Sequence, residues 1–443
     1  MSIEGTYDSA FYSSLFDRLF PITRSITGPG LRESLAIFGE HIPLRMDGVP
    51  SGTQVFDWQT PPEWSLNRAT LTGPDGEIIA DTDRHNLHVL NYSIPMEGEF
   101  TLEELQPHLH SIPAHPHLIP YVTSYYRDQW GFCLTHQDRE RLKAGTYKVS
   151  IDARKYAGEV SFADSVLLGE SGKEFLLSSY LCHPSMANNE LSGPLVLLGL
   201  YDRLSRWKRR RLTYRFVLLP ETIGSLCYLW KHGDHLKKQL VGGLVLTCLG
   251  GPETKLNYKT SRRENTNLDL LVGKLGVEGG FSVRPFTPTS GSDERQYCSA
   301  GFNLPVGQMA RTVYGQYIEY HTSGDDKTLM GIDQIVDAVD RIENLLKLHE
   351  LSGVFENLAP YGEAQLGRRD LYPNVNSPLT RTKSTDTVID SRTALNRILT
   401  VLNYSDGQHR MQDIADRLHC SIQDLQPIIE RLEDEKLLEL NPR

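Results

Sequence analysis

Three short stretches of the chain hold residue types capable of hydrolytic or metal chemistry. The first, 182–194, reads Cys-His-Pro-Ser-Met-Ala-Asn-Asn-Glu-Leu-Ser-Gly-Pro and places His183 ahead of a polar turn and a Ser-Gly pair. An imidazole in that position suits a metal site built on rigid elements; the same stretch also reads as a turn in which Asn188 and Asn189 cap a following helix. The second, 220–225, carries Glu221. Burial can lift a carboxyl pKa toward neutrality, which makes Glu221 a candidate general base, although Glu221 and Thr222 can equally open a helix. The third combines 291–297, with Asp293 and Arg295, and 314–325, with Tyr314, Tyr320, His321 and Asp325. A second His set among Tyr and Glu and followed by Asp can supply another imidazole ligand with a carboxylate behind it. Each stretch alone has a bland reading; three in one unit are harder to dismiss.

Such residues need rigid elements to position them. Segments 175–181, 214–219 and 243–249 read as buried strands and 195–204 as a helix. Apolar strands alternating with helices over 174–350 imply an α/β domain with a mainly parallel sheet flanked by helices. Ligands in such sheets bind beyond the carboxyl ends of strands, and His183 and Glu221 follow two of those ends. Residues 11–40 read as helical with a break at 24–30. From 44 to 120, short apolar stretches between Pro/Gly turns read as an inserted small β-rich domain, and 145–152 and 159–164 alternate like antiparallel strands. The α/β domain is then 1–43 with 121–360. Residues 361–387 read as a linker, and three amphipathic stretches (394–402, 411–418, 422–436) make 388–443 a winged helix-turn-helix.

Composition narrows the function classes. A length of 443 residues suits two to four domains. No apolar run approaches the ~18 residues of a membrane span, and no basic segment leads an apolar one at the start, so neither a spanning helix nor a signal peptide is expected. The six cysteines are scattered without a CxxC pair, which fits reduced thiols and a cytoplasmic location. A net charge of −10 argues against bulk nucleic-acid binding. The candidate recognition stretch 421–436 carries Asp424, Glu430, Glu433, Asp434 and Glu435 against Arg431 and Lys436, the reverse of what DNA requires. The winged module is therefore expected to pack on the α/β domain or to join two copies in a homodimer. The basic run 208–211 reads as a solvated connection.

Taken together, several motifs are recognisable. They are Val49-Pro50-Ser51-Gly52-Thr53, Phe56-Asp57-Trp58, Pro62-Glu63-Trp64, 120–126 and Trp130-Gly131-Phe132-Cys133, followed by 182–188, 220–225, 291–296 and 319–323. With these the chain resembles, over nearly its whole length, a bacterial aminopeptidase-like family related to the co-catalytic zinc aminopeptidases. The resemblance implies a zinc-aminopeptidase-like α/β fold with an inserted small β domain and a C-terminal winged helix. It also implies that His183 and His321 are zinc ligands, that Glu221 is the general base, and that Asp325 orients a ligand from behind. Asp293, Arg295, Tyr314 and Tyr320 would shape the substrate end of the cleft, which would take a small amide or peptide.

Departures from that pattern limit the metal. Where the related zinc enzymes carry an Asp ligand, this chain has Asn189, followed by Glu190; where a second Glu follows the base, it has Thr222. After the third strand, Gly-Asp is replaced by Gly250-Gly251, with Glu253 shortly after. An amide oxygen is a weaker ligand than a carboxylate. The expected cofactor is at most one weakly held zinc, on His183, His321 and Asn189, with Glu190 or Glu253 as alternative ligands. Three readings follow: a mononuclear amide hydrolase, an enzyme on the same scaffold with metal-free chemistry, and a non-catalytic small-molecule or peptide binder. The intact His/Glu/His set favours the first.

Overall fold

The structure is a computed structural model, and it describes residues 7–372 and 391–441. The chain divides into two units, one ending at Glu343 and one beginning at Asn344.

The first unit is organised on an eight-stranded sheet. Its strands in chain order are β1 (Arg45–Pro50), β2 (Glu159–Leu167), β3 (Glu174–Tyr180), β4 (Thr213–Leu219), β5 (Leu240–Leu246), β6 (Leu256–Lys259), β7 (Phe281–Arg284) and β8 (Val306–Ala310). Across the sheet they run β1-β2-β4-β3-β5-β8-β6-β7. The four central strands, β4, β3, β5 and β8, are parallel to one another. The flanks are not: β1 and β2 pair antiparallel, as do β2 with β4 and β6 with β8. The sheet is therefore mixed, with a parallel centre. β3 and β4 are buried at every position, as strands covered on both faces must be. The helix Ser192–Ser205, buried through most of its length, follows β3, and Ile223–Gln239 follows β4.

A second, four-stranded antiparallel sheet lies in the same unit, in the order Ile78–Asp81, Glu63–Thr72, Thr146–Tyr156, Met96–Thr101. Thr146–Tyr156 buries Tyr147, Val149, Ile151 and Ala153 on one face with period two. The β-rich insertion differs from 44–120 at both edges. Arg45–Pro50 belongs to the large sheet, and Thr146–Tyr156, beyond residue 120, is a central strand of the small one. Thr146–Tyr156 pairs antiparallel with the long strand Glu63–Thr72 over nearly its whole length and with Met96–Thr101 on its other edge.

The second unit holds a three-stranded antiparallel sheet of Asp406–Arg410, Val354–Asn357 and Leu438–Leu440, with helices Ser391–Tyr404, Met411–Arg417 and Ile422–Asp434. Phe355, Val401, Met411, Ile414, Leu425, Ile429, Leu432 and Leu437 form its core. The winged helix thus starts earlier than 388, because a strand upstream of the 361–387 linker completes its sheet. Of that linker, 373–387 lies outside the described residues. Among the described residues no helix is long and apolar enough to cross a membrane.

Candidate metal centre

After β3 the chain passes through Cys182 and His183 into a π-helical turn, Ala187–Leu191, and then the helix Ser192–Ser205. The turn is buried, so its backbone amides need partners. Asp325 supplies them: its carboxylate accepts from Asn188 N (2.6 Å) and Asn189 N (2.9 Å), and its carbonyl from Ala187 N (2.9 Å). Burial pushes the Asp325 pKa up to about 6 against those amides. The resemblance implies an Asp325 behind a ligand imidazole; here it caps the turn that carries Asn189. Gly193 follows because a side chain would not fit: a Cβ there would lie 2.2 Å from the Leu246 carbonyl oxygen.

His183 is buried, and its orientation is set from behind. Its Nδ1 lies 2.6 Å from Glu190 Oε2, while Glu190 Oε1 accepts from the Cys182 amide. Both Glu190 oxygens are thus committed, and the residue orients the imidazole where the sequence offered it as a ligand. With Nδ1 engaged, Nε2 faces Glu221 Oε2 at 3.8 Å. Burial disfavours the imidazolium, yet Cys182 and Glu190 outweigh it and hold the His183 pKa well above the ordinary value. Cys182, His183 and Glu190 form the one His/Cys/Asp/Glu group with metal-like spacing among the described residues. Burial raises the Cys182 thiol to about 11, and Cys182 Sγ already accepts from the Glu221 amide at 3.3 Å.

His321 reaches the same place from a left-handed backbone position, φ 56°. Its ring stacks on Tyr320 at 4.0 Å, meets the edge of Tyr121 at 5.3 Å, and lies 5.3 Å from the His183 ring, centroid to centroid. Burial, then the charge of His183, pushes its pKa down to about 3, leaving the neutral imidazole a metal requires. Two imidazoles on one tetrahedral zinc, with Zn–N bonds of ~2 Å, place their centroids about 5 Å apart. The centroid separation of the pair matches that figure.

Glu221 follows β4. Ser292 Oγ donates to its Oε1 at 2.5 Å, and burial raises its pKa. The next residue, Thr222, is strained at φ 62° and is held by its amide donating to Asp293 Oδ1 at 2.7 Å. Asp293 also accepts from Ser225 Oγ at 2.8 Å and is fully buried. It does not line a substrate cleft: it fixes the turn that aims Glu221. Burial and then the Glu221 charge push its pKa up to about 8.

The other expected residues divide. Asn189 Nδ2 donates to Tyr180 OH at 3.0 Å, and its Oδ1 is buried without a partner. Glu253 takes the Thr312 hydroxyl, and a Cβ on Gly251 would lie 1.6 Å from Thr312 Oγ1, so the end of β5 offers the two histidines no carboxylate. Arg295 Nε donates to Ser292 O at 3.3 Å, and Tyr314 lies 6.4 Å from the Tyr320 ring. Sequence reasoning missed Ser292, Tyr180 and Tyr121 as parts of the site. Tyr121 and Ser292 sat inside recognised motifs, 120–126 and 291–296; nothing in the pattern marked Tyr180.

Residues 13–352 match a family described as a domain of unknown function (DUF4910), and 353–440 match a winged helix-turn-helix. Over 404 residues the chain is 39% identical to a Clostridium acetobutylicum protein named “putative polysaccharide biosynthesis protein with aminopeptidase-like domain”, covering 91% of this chain and 90% of that one. The crystal structure of a “putative peptidase” from Clostridium acetobutylicum is similar at TM-score 0.83 and 36% identity, covering 98% and 96% of the two chains. A zinc aminopeptidase from Bacillus subtilis shares the fold at TM-score 0.54 and 12% identity, over 78% and 96%.

Proposed function

The chain belongs to the DUF4910 family, an aminopeptidase-like scaffold followed by a winged helix, and from that premise we propose that it is an amide or peptide hydrolase using a single zinc ion. The observation that carries this reading is the facing of His183 Nε2 and Glu221 Oε2 at 3.8 Å beyond the ends of β3 and β4, beside a His321 ring 5.3 Å from that of His183. His183 and His321 would hold the metal, with Asn189 Oδ1 as the nearby uncommitted oxygen. When bound, the zinc supplies Lewis-acid polarisation of the scissile carbonyl and makes the attacking water more acidic.

The remaining work falls to the chain. Glu221, with its pKa raised by burial, takes the proton of the water on Oε2 and returns it to the leaving nitrogen. Ser292 holds Oε1, so Oε2 is the free oxygen. Glu190 holds the His183 proton on Nδ1, so metal binding would displace only the Nε2 proton of the imidazolium and leave that nitrogen to ligate. Tyr320, stacked on His321, and Arg295, anchored beside Ser292, would border the substrate.

Elemental analysis and chelator-competition titration of the wild type, beside His183→Ala and His321→Ala, test the metal. Aminoacyl-p-nitroanilides test the hydrolysis. One zinc per chain, lost in both variants, with metal-dependent turnover is the expected result. Two tightly held ions, or equal zinc in the His variants, would refute it.

A further inference from the structure

A second cleft, of about 540 Å³, sits where the motif Phe56-Asp57-Trp58 meets residues 126–128, and it shares no lining residue with the metal centre. Trp58 stands on a small hairpin, Gln54–Val55 with Trp58–Gln59. The hairpin is held rather than loose: Gln54 Nε2 donates to Phe56 O at 2.7 Å, Gln59 Nε2 to Gly52 O at 3.0 Å, and the Phe56 ring packs on Phe302 at 5.5 Å. Opposite stands Tyr126, fixed at φ 64° and meeting Trp58 at 5.5 Å. A non-glycine residue in that backbone region persists only where its surroundings enforce it, and such residues cluster at ligand clamps. Both rings are nonetheless open, Trp58 at 38% and Tyr126 at 50% exposure.

The rim carries two acids and two bases, Asp57, Asp128, Arg127 and Lys155. Lys155 is spent: it pairs with Asp128 at 3.0 Å and lies 4.7 Å over the Tyr92 ring. The side chains of Asp57 and Arg127 make no hydrogen bond or ion pair among the described residues. The cleft thus offers held, open aromatic faces beside an uncommitted carboxylate and guanidinium, with no net charge. An anion such as a nucleotide would find no charge excess, and an apolar peptide would leave the polar pair unsatisfied.

We propose that this cleft binds a saccharide. The C–H face of a pyranose stacks on the open face of Trp58 while Tyr126, whose ring stands at 69° to the indole, packs against the sugar's edge, and ring hydroxyls donate to Asp57 and accept from Arg127. Binding here does not depend on the proposed hydrolysis, so it is tested in the Glu221→Gln chain, where turnover cannot interfere.

Full-length Glu221→Gln is titrated with N-acetylglucosamine, methyl glucoside and cellotriose, with inorganic phosphate and trialanine as comparators, by calorimetry and tryptophan fluorescence. At least one saccharide should bind saturably. Affinity should fall about tenfold in Trp58→Ala and in Tyr126→Ala, each having lost one aromatic contact, and stay within about threefold in Trp58→Phe. Asp57→Asn and Arg127→Gln, both at exposed positions, should weaken binding with unchanged melting. No binding by these probes or across a glycan array would overturn the proposal, as would saccharide binding that survives both alanine substitutions, or saturation by phosphate or peptide alone.

Discussion

Replacing Glu190 by Gln gives the sharpest test of the centre, because it keeps the shape and changes only what the two oxygens can do. In the native chain one oxygen accepts the Cys182 amide and the other faces His183 Nδ1 at 2.6 Å. A glutamine has one acceptor and one donor end. With its oxygen left on the Cys182 amide, its NH₂ faces Nδ1, the ring proton moves to Nε2, and Nε2 can no longer ligate. With the amide turned over, the tautomer survives, but a buried N–H then faces the Cys182 N–H. Either arrangement forfeits a charge-assisted hydrogen bond in a fully buried place, about 1.5–3 kcal/mol. Loss of a carboxylate behind a ligand imidazole lowers metal affinity roughly 10–100-fold, which is about 1.4–2.7 kcal/mol and agrees with the hydrogen-bond figure. Competition of the two chains against a chromophoric zinc chelator at pH 7.5 reads the affinity. Differential scanning calorimetry with and without zinc separates metal loss from destabilised packing. Zinc affinity in Glu190→Gln within about threefold of wild type, with the fold intact, would refute the orienting role.

Glu221→Gln should lower any amide hydrolysis by about 10²–10⁴-fold while zinc affinity stays within a few-fold, since its role is proton transfer; the p-nitroanilide assay and the same zinc titration check it. Asn189→Asp should raise zinc affinity measurably in competition titration, because a charged oxygen replaces an amide whose Oδ1 has no partner. For pH, His85 is informative: its Nδ1 accepts from Leu87 N at 3.1 Å, and burial pushes its pKa down to about 4. The unfolded chain therefore takes up that proton first, so the contribution is whole above about pH 6.5 and is lost as pH falls toward 4. Urea midpoints at pH 7 and 5 should differ less in His85→Asn, which keeps an acceptor for Leu87 N without titrating. The winged module should show no salt-sensitive affinity for duplex DNA in a low-salt fluorescence titration, given the acidic charges along Ile422–Asp434.

What could be read from the sequence was the placement of loops. Buried runs such as Phe175–Leu181 are unambiguous, and the carboxyl-end rule puts His183 and Glu221 together without any coordinates. Edges were harder. Arg45–Pro50 and Thr146–Tyr156 changed sheets relative to expectation, because a strand's partner depends on pairing at long range and not on its own pattern. Atom-level roles were the least legible. In sequence Asp293 looks like a cleft acid and Asp325 like the orienter of a ligand, yet Asp325 spends both carboxylate oxygens on amides of the π-helical turn and Asp293 spends Oδ1 on the amide of strained Thr222, a demand visible only once φ and burial are known.

The π-helical turn also explains how a site can lose its expected carboxylate and keep a carboxylate at its heart. Asn189 and Glu190 are adjacent, but on this turn they diverge: Asn189 points to Tyr180 and Cys248, Glu190 back to Cys182 and His183. The charge absent from position 189 is present one residue later, where it meets an imidazole edge and a backbone N–H and is satisfied without metal. A carboxylate so placed strengthens one histidine as a ligand but cannot bridge two ions. Thr222 and Gly251 add no charge, and Thr312 fills the space a side chain on Gly251 would need. Restoring a second ion would therefore take more than one substitution. Asn189→Asp alone should improve the single site, whereas Gly251→Asp should fail unless Thr312 is made smaller as well.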